Sequence, residues 1–270
     1  MSEDAVVESS QALSFAVRLA QDAGRLLLDY FEKAGLASSY KPDRTLVTEA
    51  DFAVDRFISK AIAEDFPQDV NLSEELYPQI SQAASSAKAV WVIDPLDGTT
   101  NFQLHLHIWG VLITRLIGGF PELSVQYFPK VNELYTAQHG RGAYLNGELL
   151  QIPSSSNQEK ISFFSCCSRT FRNYKVNIPY KARILGSAAY SLCCVARGVA
   201  KLAFEATPKI WDLAAGWLLV EEAGGVLTTL DGSEPFPLDD QVDFGNQTFP
   251  LLAAASYEIL ERSRKQIEPR

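Results

Sequence analysis

Apolar residues recur at helical spacing between residues 5 and 33, at Leu13, Ala16, Val17, Ala20, Ala23, Leu27 and Phe31, which predicts a long amphipathic helix. A second helical pattern runs through Ala53, Val54, Phe57, Ile58, Ala61 and Ile62, with Thr48 as its N-cap and Asp51 as the capping-box acid. After a short extended segment ending at Ser73, the pattern changes to that of strands. Ala89 to Ile93 is a β-branched and aromatic run suited to a buried strand, and Pro95 is expected to end it by removing a donor and fixing its own φ. Apolar or alternating stretches follow at 108–117, 123–128 and Glu133 to Ala137, and Tyr144-Leu145-Asn146-Gly147-Glu148-Leu149 reads as a hairpin. The polar run Pro153 to Gln158 is the best linker candidate. Beyond it, strands at Ile161–Cys166, Arg183–Leu185, Lys201–Glu205, Gly225–Thr229 and Leu251–Ala255 alternate with helices near 187–197, 211–223 and 256–266.

With 270 residues, 47% of them hydrophobic and 21% charged, the chain has the composition of a globular protein with a sizeable core. Its net charge of −9 argues against nucleic-acid or anionic-membrane partners, which need a basic face. The start Met1-Ser2-Glu3-Asp4 lacks a basic leader region and no apolar stretch approaches spanning length, so the expected location is the cytoplasm. Cys166-Cys167 and Cys193-Cys194 match neither a zinc spacing nor a disulfide ladder and are expected to be reduced and mostly buried. His105 and His107 would share one face of a strand, with packing and hydrogen bonding favoured over metal ligation for want of a third ligand.

The chemistry concentrates in Asp94-Pro95-Leu96-Asp97-Gly98-Thr99-Thr100-Asn101-Phe102. Two carboxylates on one bend repel each other unless a proton or cation intervenes, and hard oxygen ligands suit magnesium, manganese or calcium better than zinc. Gly98-Thr99-Thr100 adds backbone N–H groups and hydroxyls that suit an anion if Thr99 opens a short helix. Taken alone, the segment also fits an ordinary Asp-Gly turn with solvated acids. Further acids lie at Asp51, at Glu74-Glu75, and at Asp212 in the first turn of the helical run Ile210 to Gly225, and each of these also has a bland explanation in capping, solvation or the helix dipole.

Together these segments resemble the inositol monophosphatase family of magnesium-dependent, lithium-sensitive phosphatases. The resemblance rests on Asp94 to Phe102, on Trp211-Asp212-Leu213-Ala214-Ala215-Gly216 with its Glu222-Ala223-Gly224-Gly225 ending, and on the order of the acidic segments, and it spans nearly the whole chain. It implies an αβαβα layered sandwich, with residues 1–152 forming an N-terminal α+β half and 153–270 a C-terminal α/β half that completes the site. Two to three Mg2+ ions are implied, with Mn2+ possible and Li+ inhibitory. Glu74, Asp94 and the Leu96 carbonyl would hold one ion; Asp94, Asp97 and Asp212 would hold a second; a third would use the Glu74 side and water. Thr99, bonded to Asp51, would orient or deprotonate the water that attacks phosphorus in line. Gly98, Thr99 and Thr100 match the phosphate-holding backbone, and Gly186, Ser187 and Ala188 match a segment beside the sugar-like ring. Glu205 falls where many members hydrogen-bond ring hydroxyls, with a rim carboxylate as the competing reading. Lys41 matches a basic residue on a loop near the third ion, a solvated loop lysine being the competing reading. The implied partner is a small phosphorylated substrate, in a homodimeric enzyme. Thr100-Asn101-Phe102 is the inositol-type form of the motif, which favours myo-inositol monophosphate over sugar, fructose-bisphosphate or histidinol phosphates; a catalytically silent member should have lost one of the six central residues. Two departures from the pattern, Ser73 in place of a common glycine and the absence of a proline in His105-Leu106-His107-Ile108, bear on loop geometry.

Overall fold

Alternation along one strand decides the layering. The computed structural model describes residues 3–33, 38–41, 46–76, 87, 89–153, 162–239 and 242–270. Within β4 (Ala89–Asp97), all nine positions are buried. Trp91 and Ile93 pack on one side with α1 (Glu3–Phe31) and α2 (Glu49–Asp65), whereas Val90 and Val92 pack on the other with α5 (Ala188–Ala196) and α6 (Ile210–Glu222). Successive side chains of a strand point to opposite faces, so β4 must be covered on both.

This strand lies in a seven-stranded sheet ordered β3-β4-β5-β6-β7-β8-β9, where β3 is Val70–Ser73, β5 Gly110–Ile117, β6 Phe120–Phe128, β7 Glu133–Gln138, β8 Gly142–Leu145 and β9 Glu148–Leu150. The β3–β4 pair is parallel and the others are antiparallel. The expected hairpin joins β8 to β9, with Asn146 and Gly147 at φ of 50° and 86°, as a primed two-residue turn needs. A five-stranded sheet is ordered β12-β10-β13-β15-β14, comprising β10 (Phe163–Cys166), β12 (Lys181–Arg183), β13 (Ala200–Glu205), β14 (Val226–Thr229) and β15 (Leu251–Ala254). Ala200, Ala203, Leu251 and Ala253 face the α5/α6 layer, whereas Leu202, Phe204, Leu252 and Ala254 meet Leu260 of α7 (Tyr257–Arg264). The layers therefore run helix, sheet, helix, sheet, helix, as the resemblance implies. Two short antiparallel pairs complete the described strands: β1 (Ser38–Tyr40) with β2 (Leu46–Thr48), and β11 (Tyr174–Val176) with β16 (Ile267–Pro269).

Three sequence expectations require correction. Pro95 does not end the strand: β4 continues to Asp97, with Asp94 opposite Leu112 and Asp97 opposite Gly110, so three residue steps on β4 match two on β5. That extra residue is a bulge, the one place where an interior strand tolerates a missing donor. The strand expected at Arg183–Leu185 lies instead at Lys181–Arg183, an exposed sheet edge where no buried face pins the register. His105 and His107 occupy an exposed turn rather than a strand; His105 has φ 55° and packs its ring edge-on against Phe31, with centroids 4.9 Å apart. Of the linker candidate, Ser154 to Gln158 lie outside the described residues, as does Ile161.

Candidate active site

The β4 bulge delivers Asp94 and Asp97 to the mouth of the seven-stranded sheet, and Gly98 turns the chain into α3 (Thr99–Gln103). Gly98 has φ 85°, and a Cβ there would stand 2.8 Å from the Ile108 carbonyl oxygen, so both conformation and space require glycine. The first turn of this helix lines a cavity of about 690 Å³ together with Glu74, Asp94, Leu96, Asp97 and Asp212. Asp212 comes from the first turn of α6, where the Lys209 N–H donates to its Oδ2 at 2.6 Å.

Oxygen atoms of Glu74, Asp94 and Asp212 all lie within 4.8 Å of one another. Asp94 Oδ1 accepts from the Leu96 N–H at 3.0 Å, while its buried Oδ2 has no hydrogen-bond partner among the described residues. Burial, reinforced by Glu74, Asp212 and Asp97, pushes the Asp94 carboxyl well above the usual range. Burial likewise raises Asp212 to about 8, with Glu74 and Asp97 adding to the shift. An all-oxygen donor set, an orphaned lone pair and carboxylates disfavoured as anions by their own neighbours fit a hard divalent cation.

Asp97 lines the same cavity but is not one of these three clustered carboxylates. Its Oδ2 accepts from the Ser187 hydroxyl and its Oδ1 from the Ala188 N–H at 3.2 Å. Burial raises its carboxyl to about 6, against the opposing pull of Ser187. Ser187 also caps α5 by accepting from the Tyr190 N–H at 3.0 Å. The segment expected beside a sugar ring thus fastens Asp97 to the helical layer. Gly186, at φ 77°, packs so closely that a Cβ would sit 2.6 Å from Asn101 Oδ1. Asn101 Nδ2 in turn donates to the carbonyls of Ile108 at 2.7 Å and Leu185 at 2.8 Å, tying α3 to the Gly186 segment.

Thr99 and Asp51, 48 residues apart in the chain, are brought together. The Thr99 hydroxyl lies 3.2 Å from Asp51 Oδ1 and 3.0 Å from the Leu96 carbonyl oxygen. Asp51 Oδ2 accepts from the Thr48 N–H at 2.8 Å and from its hydroxyl at 2.6 Å, so the expected capping box is formed and one oxygen still faces Thr99. Burial lifts the Asp51 carboxyl to about 6 despite those Thr48 bonds.

Lys41 is not a freely solvated lysine. Its Nζ lies 2.7 Å from Glu74 Oε1 and 2.6 Å from Glu75 Oε1. Burial alone would pull the ammonium down, but the two glutamates hold it above its ordinary range. The neighbouring Pro42 and Asp43 lie outside the described residues. Glu205 is only 4% exposed, which rules out a rim position. It lines a second cavity of about 400 Å³ with Ser187, Ala188 and Cys167, and its Oε1 has no described partner. Burial drives its carboxyl to about 8.

Several contributors had no local signal. Asp55 is fully buried in α2, where its Oδ1 accepts from Ser59 at 3.0 Å and its Oδ2 from the Glu75 N–H at 3.1 Å. Ser73, the departure from glycine, also bonds Asp55 and accepts from the Leu76 N–H at 3.3 Å, so the substitution braces the turn that carries Glu74. Arg169, Thr207 and Lys209 line the cavity without belonging to any motif; only the proximity of Lys209 to Asp212 in sequence hinted at its place. All four cysteines are free, and three are buried as expected; Cys167 is half-buried at the second cavity.

The fold and site define a layered protein whose cavity sets three clustered carboxylates beside the Gly98–Thr100 turn. Residues 8–261 match the family model described as the inositol monophosphatase family, and the chain belongs to that family. It is similar to the Nus factor SuhB of Escherichia coli K12, at 35% identity over 87% of this chain and 91% of the relative. It is also similar to the histidinol-phosphatase of Chlorobaculum parvum, at 33% identity over 79% and 83% of the two chains. Among solved structures it resembles the inositol monophosphatase from Anabaena (Nostoc) sp. PCC 7120, with a TM-score of 0.74, 28% identity and coverage of 96% and 97%.

Proposed function

We propose that the protein hydrolyses a small phosphate monoester in a divalent-cation-dependent reaction, with myo-inositol monophosphate as its preferred substrate. The observation that carries this reading is the convergence of Glu74, Asp94 and Asp212 within 4.8 Å beside the Gly98–Thr100 turn. Glu74, Asp94, Asp212, Asp97 and the Leu96 carbonyl would hold Mg2+, or Mn2+ in its place. A cation there supplies charge neutralisation of the phosphate, a lowered pKa for water and stabilisation of the departing alkoxide.

The chain's own groups position and deprotonate. The first-turn N–H groups of α3 and the Thr100 hydroxyl face the phosphate oxygens. Thr99 accepts a hydrogen bond from the attacking water and passes its own proton toward Asp51, whose carboxyl at about 6 is mostly ionised near neutrality. Water attacks phosphorus, the P–O ester bond breaks, and the alkoxide leaves to take up a proton, with no phosphoenzyme. Asp97, locked by Ser187 and Ala188, keeps the two sides of the site in register. Glu205 would accept from a substrate hydroxyl through its unpartnered oxygen.

The runner-up is a histidinol or sugar phosphate, supported by the similarity to a protein named histidinol-phosphatase. The inositol-type Thr100-Asn101-Phe102 favours the first reading. Phosphate release from myo-inositol 1-phosphate, fructose 1,6-bisphosphate and histidinol phosphate, measured with Mg2+ and with chelator, tests both. Highest kcat/KM on the inositol ester with loss of activity under chelation is expected; a clear preference for histidinol phosphate overturns the substrate, and release that is indifferent to chelator overturns the chemistry. Family membership supports three further elements of the proposal: inhibition by Li+, a homodimer and a cytoplasmic location. The free cysteines are consistent with that last element.

A further inference from the structure

We propose that a third cavity, at the C-terminal end of α6, is a binding site for an organic ammonium ion with an apolar body. Its volume is about 640 Å³, and it shares no wall residue with the two cavities already described. The inference therefore stands apart from the phosphatase reading. Trp217 and Glu221 of α6 form one wall, Phe120 and Glu122 of β6 a second, and Glu234 and Phe236 in the chain after β14 a third.

The end of α6 runs against the usual charge rule. A helix C-terminus carries partial negative charge and favours lysine or arginine, yet α6 has no basic residue in its last turn and ends in Glu221-Glu222. Glu222 has its own partners outside this cavity, since its two oxygens accept from the Gly140 and Gly142 N–H groups at 2.7 Å each. Glu221 lines the cavity instead, and the Trp217 Nε1–H donates to its Oε1 at 2.8 Å. Residues four apart share a helix face, so this bond sets the carboxylate beside the indole. The indole in turn meets Phe236 edge-on, with centroids 5.7 Å apart. Glu122 and Glu234 bring the wall to three carboxylates, and among the described residues no lysine or arginine lies within 4.0 Å of any of them. His139, the other ionisable group in the wall, has its Nδ1 3.8 Å from Glu222. Ile117 and Phe120, 41% and 54% exposed, add apolar surface to the same cavity. Carboxylates without a cationic partner, an indole and apolar walls together suit a ligand that joins a positive charge to an apolar body. The ammonium would meet Glu221 and the Trp217 ring while the body covers Ile117 and Phe120. Three carboxylates disfavour an anion, and a neutral molecule would leave their charge unanswered.

Titration calorimetry with 2-phenylethylammonium, its neutral counterpart 2-phenylethanol and the anion 3-phenylpropanoate tests the site, with excess Mg2+ present to compete at the Glu74, Asp94 and Asp212 cluster. The ammonium is expected to bind with a Kd roughly tenfold lower than the alcohol, and the anion not to bind, in line with one charged hydrogen bond and a cation–π contact. Glu221→Gln keeps the shape of the wall and should bring the ammonium and alcohol to within about threefold of each other. This variant removes an acid from a helix C-terminus, so its Tm should be no lower than that of the wild type. Trp217→Phe keeps a ring and should weaken the ammonium more than the alcohol. Equal Kd values for ammonium and alcohol overturn the site, as does a preference that survives both variants or an absence of binding heat at millimolar ammonium.

Discussion

Stripping divalent cations from the protein should make it less stable as the pH rises from 5 to 8. Asp94, Asp97, Asp212 and Glu205 are all buried acids with carboxyls raised above their ordinary values, Asp212 and Glu205 to about 8 and Asp97 to about 6. For such groups the folded state binds more protons than the unfolded chain between the two pKa values. Stability is then greatest below the unfolded pKa and is lost as pH climbs through the folded one. Each pKa unit corresponds to about 1.4 kcal/mol, so Asp212 alone, crossing three units from pH 5 to 8, costs on the order of 4 kcal/mol. Counting one acid rather than four respects the fact that neighbouring carboxyls share a single penalty. For a protein of this size, 1 kcal/mol moves Tm by about 2–4 °C, so the chelated protein should melt roughly 8–16 °C lower at pH 8 than at pH 5. Mg2+ at about a hundred times its Kd adds about 2.7 kcal/mol, and it should do so chiefly at the upper end, where the ligands are ionised. Differential scanning fluorimetry in EDTA and in MgCl2 across this range measures both curves. A chelated protein whose Tm is flat or rises with pH refutes the argument, as does an Mg2+ increment that is equal at pH 5 and pH 8.

Four further outcomes follow from individual contacts. Asp212→Asn should raise the Tm of the chelated protein at pH 8 by relieving repulsion while abolishing the Mg2+ increment and phosphate release; retention of either overturns its role. Thr99→Ala should lower kcat by about a hundredfold or more with Mg2+ affinity little changed, measured by steady-state kinetics and calorimetry. Gly186→Ala introduces a Cβ 2.6 Å from Asn101 Oδ1 at φ 77°, and should cost about 1–3 kcal/mol in denaturant titration along with a loss of activity. Arg115→Ala removes a 3%-exposed guanidinium that pairs with Asp69 at 2.9 Å and lies over the Trp91 and Phe66 rings, so urea titration should show a loss of about 3–5 kcal/mol.

The parts of this molecule legible in its sequence are those in which local pattern and tertiary demand coincide. Helical spacing from Leu13 to Phe31 marked α1, and the Asn146-Gly147 pair marked a turn whose backbone those residues suit. The capping box at Thr48 and Asp51 was visible because it is built from neighbours. Pro95 misled for the opposite reason: whether a proline ends a strand or sits in its bulge depends on β5, which is distant in sequence. Likewise, nothing around Asp55 announces that it braces Glu75, or around Ser187 that its hydroxyl reaches Asp97. The site acids were recognisable through long motifs, whereas Arg169 and Thr207 belong to none and meet only after the five-stranded sheet is assembled.

The tether from Asp97 to Ser187 and Ala188 joins a strand end of one sheet to a helix start that leads toward the other. A carboxylate in that position cannot be adjusted without disturbing the seam between the two ends of the chain. Loss of the seam, even with every element still folded, would scatter the acids and silence the protein. Hydrogen exchange at the Ala188 and Tyr190 amides should therefore act as a gauge of catalytic competence, slowing when ligand fills the cavity and quickening under chelation before any helix melts.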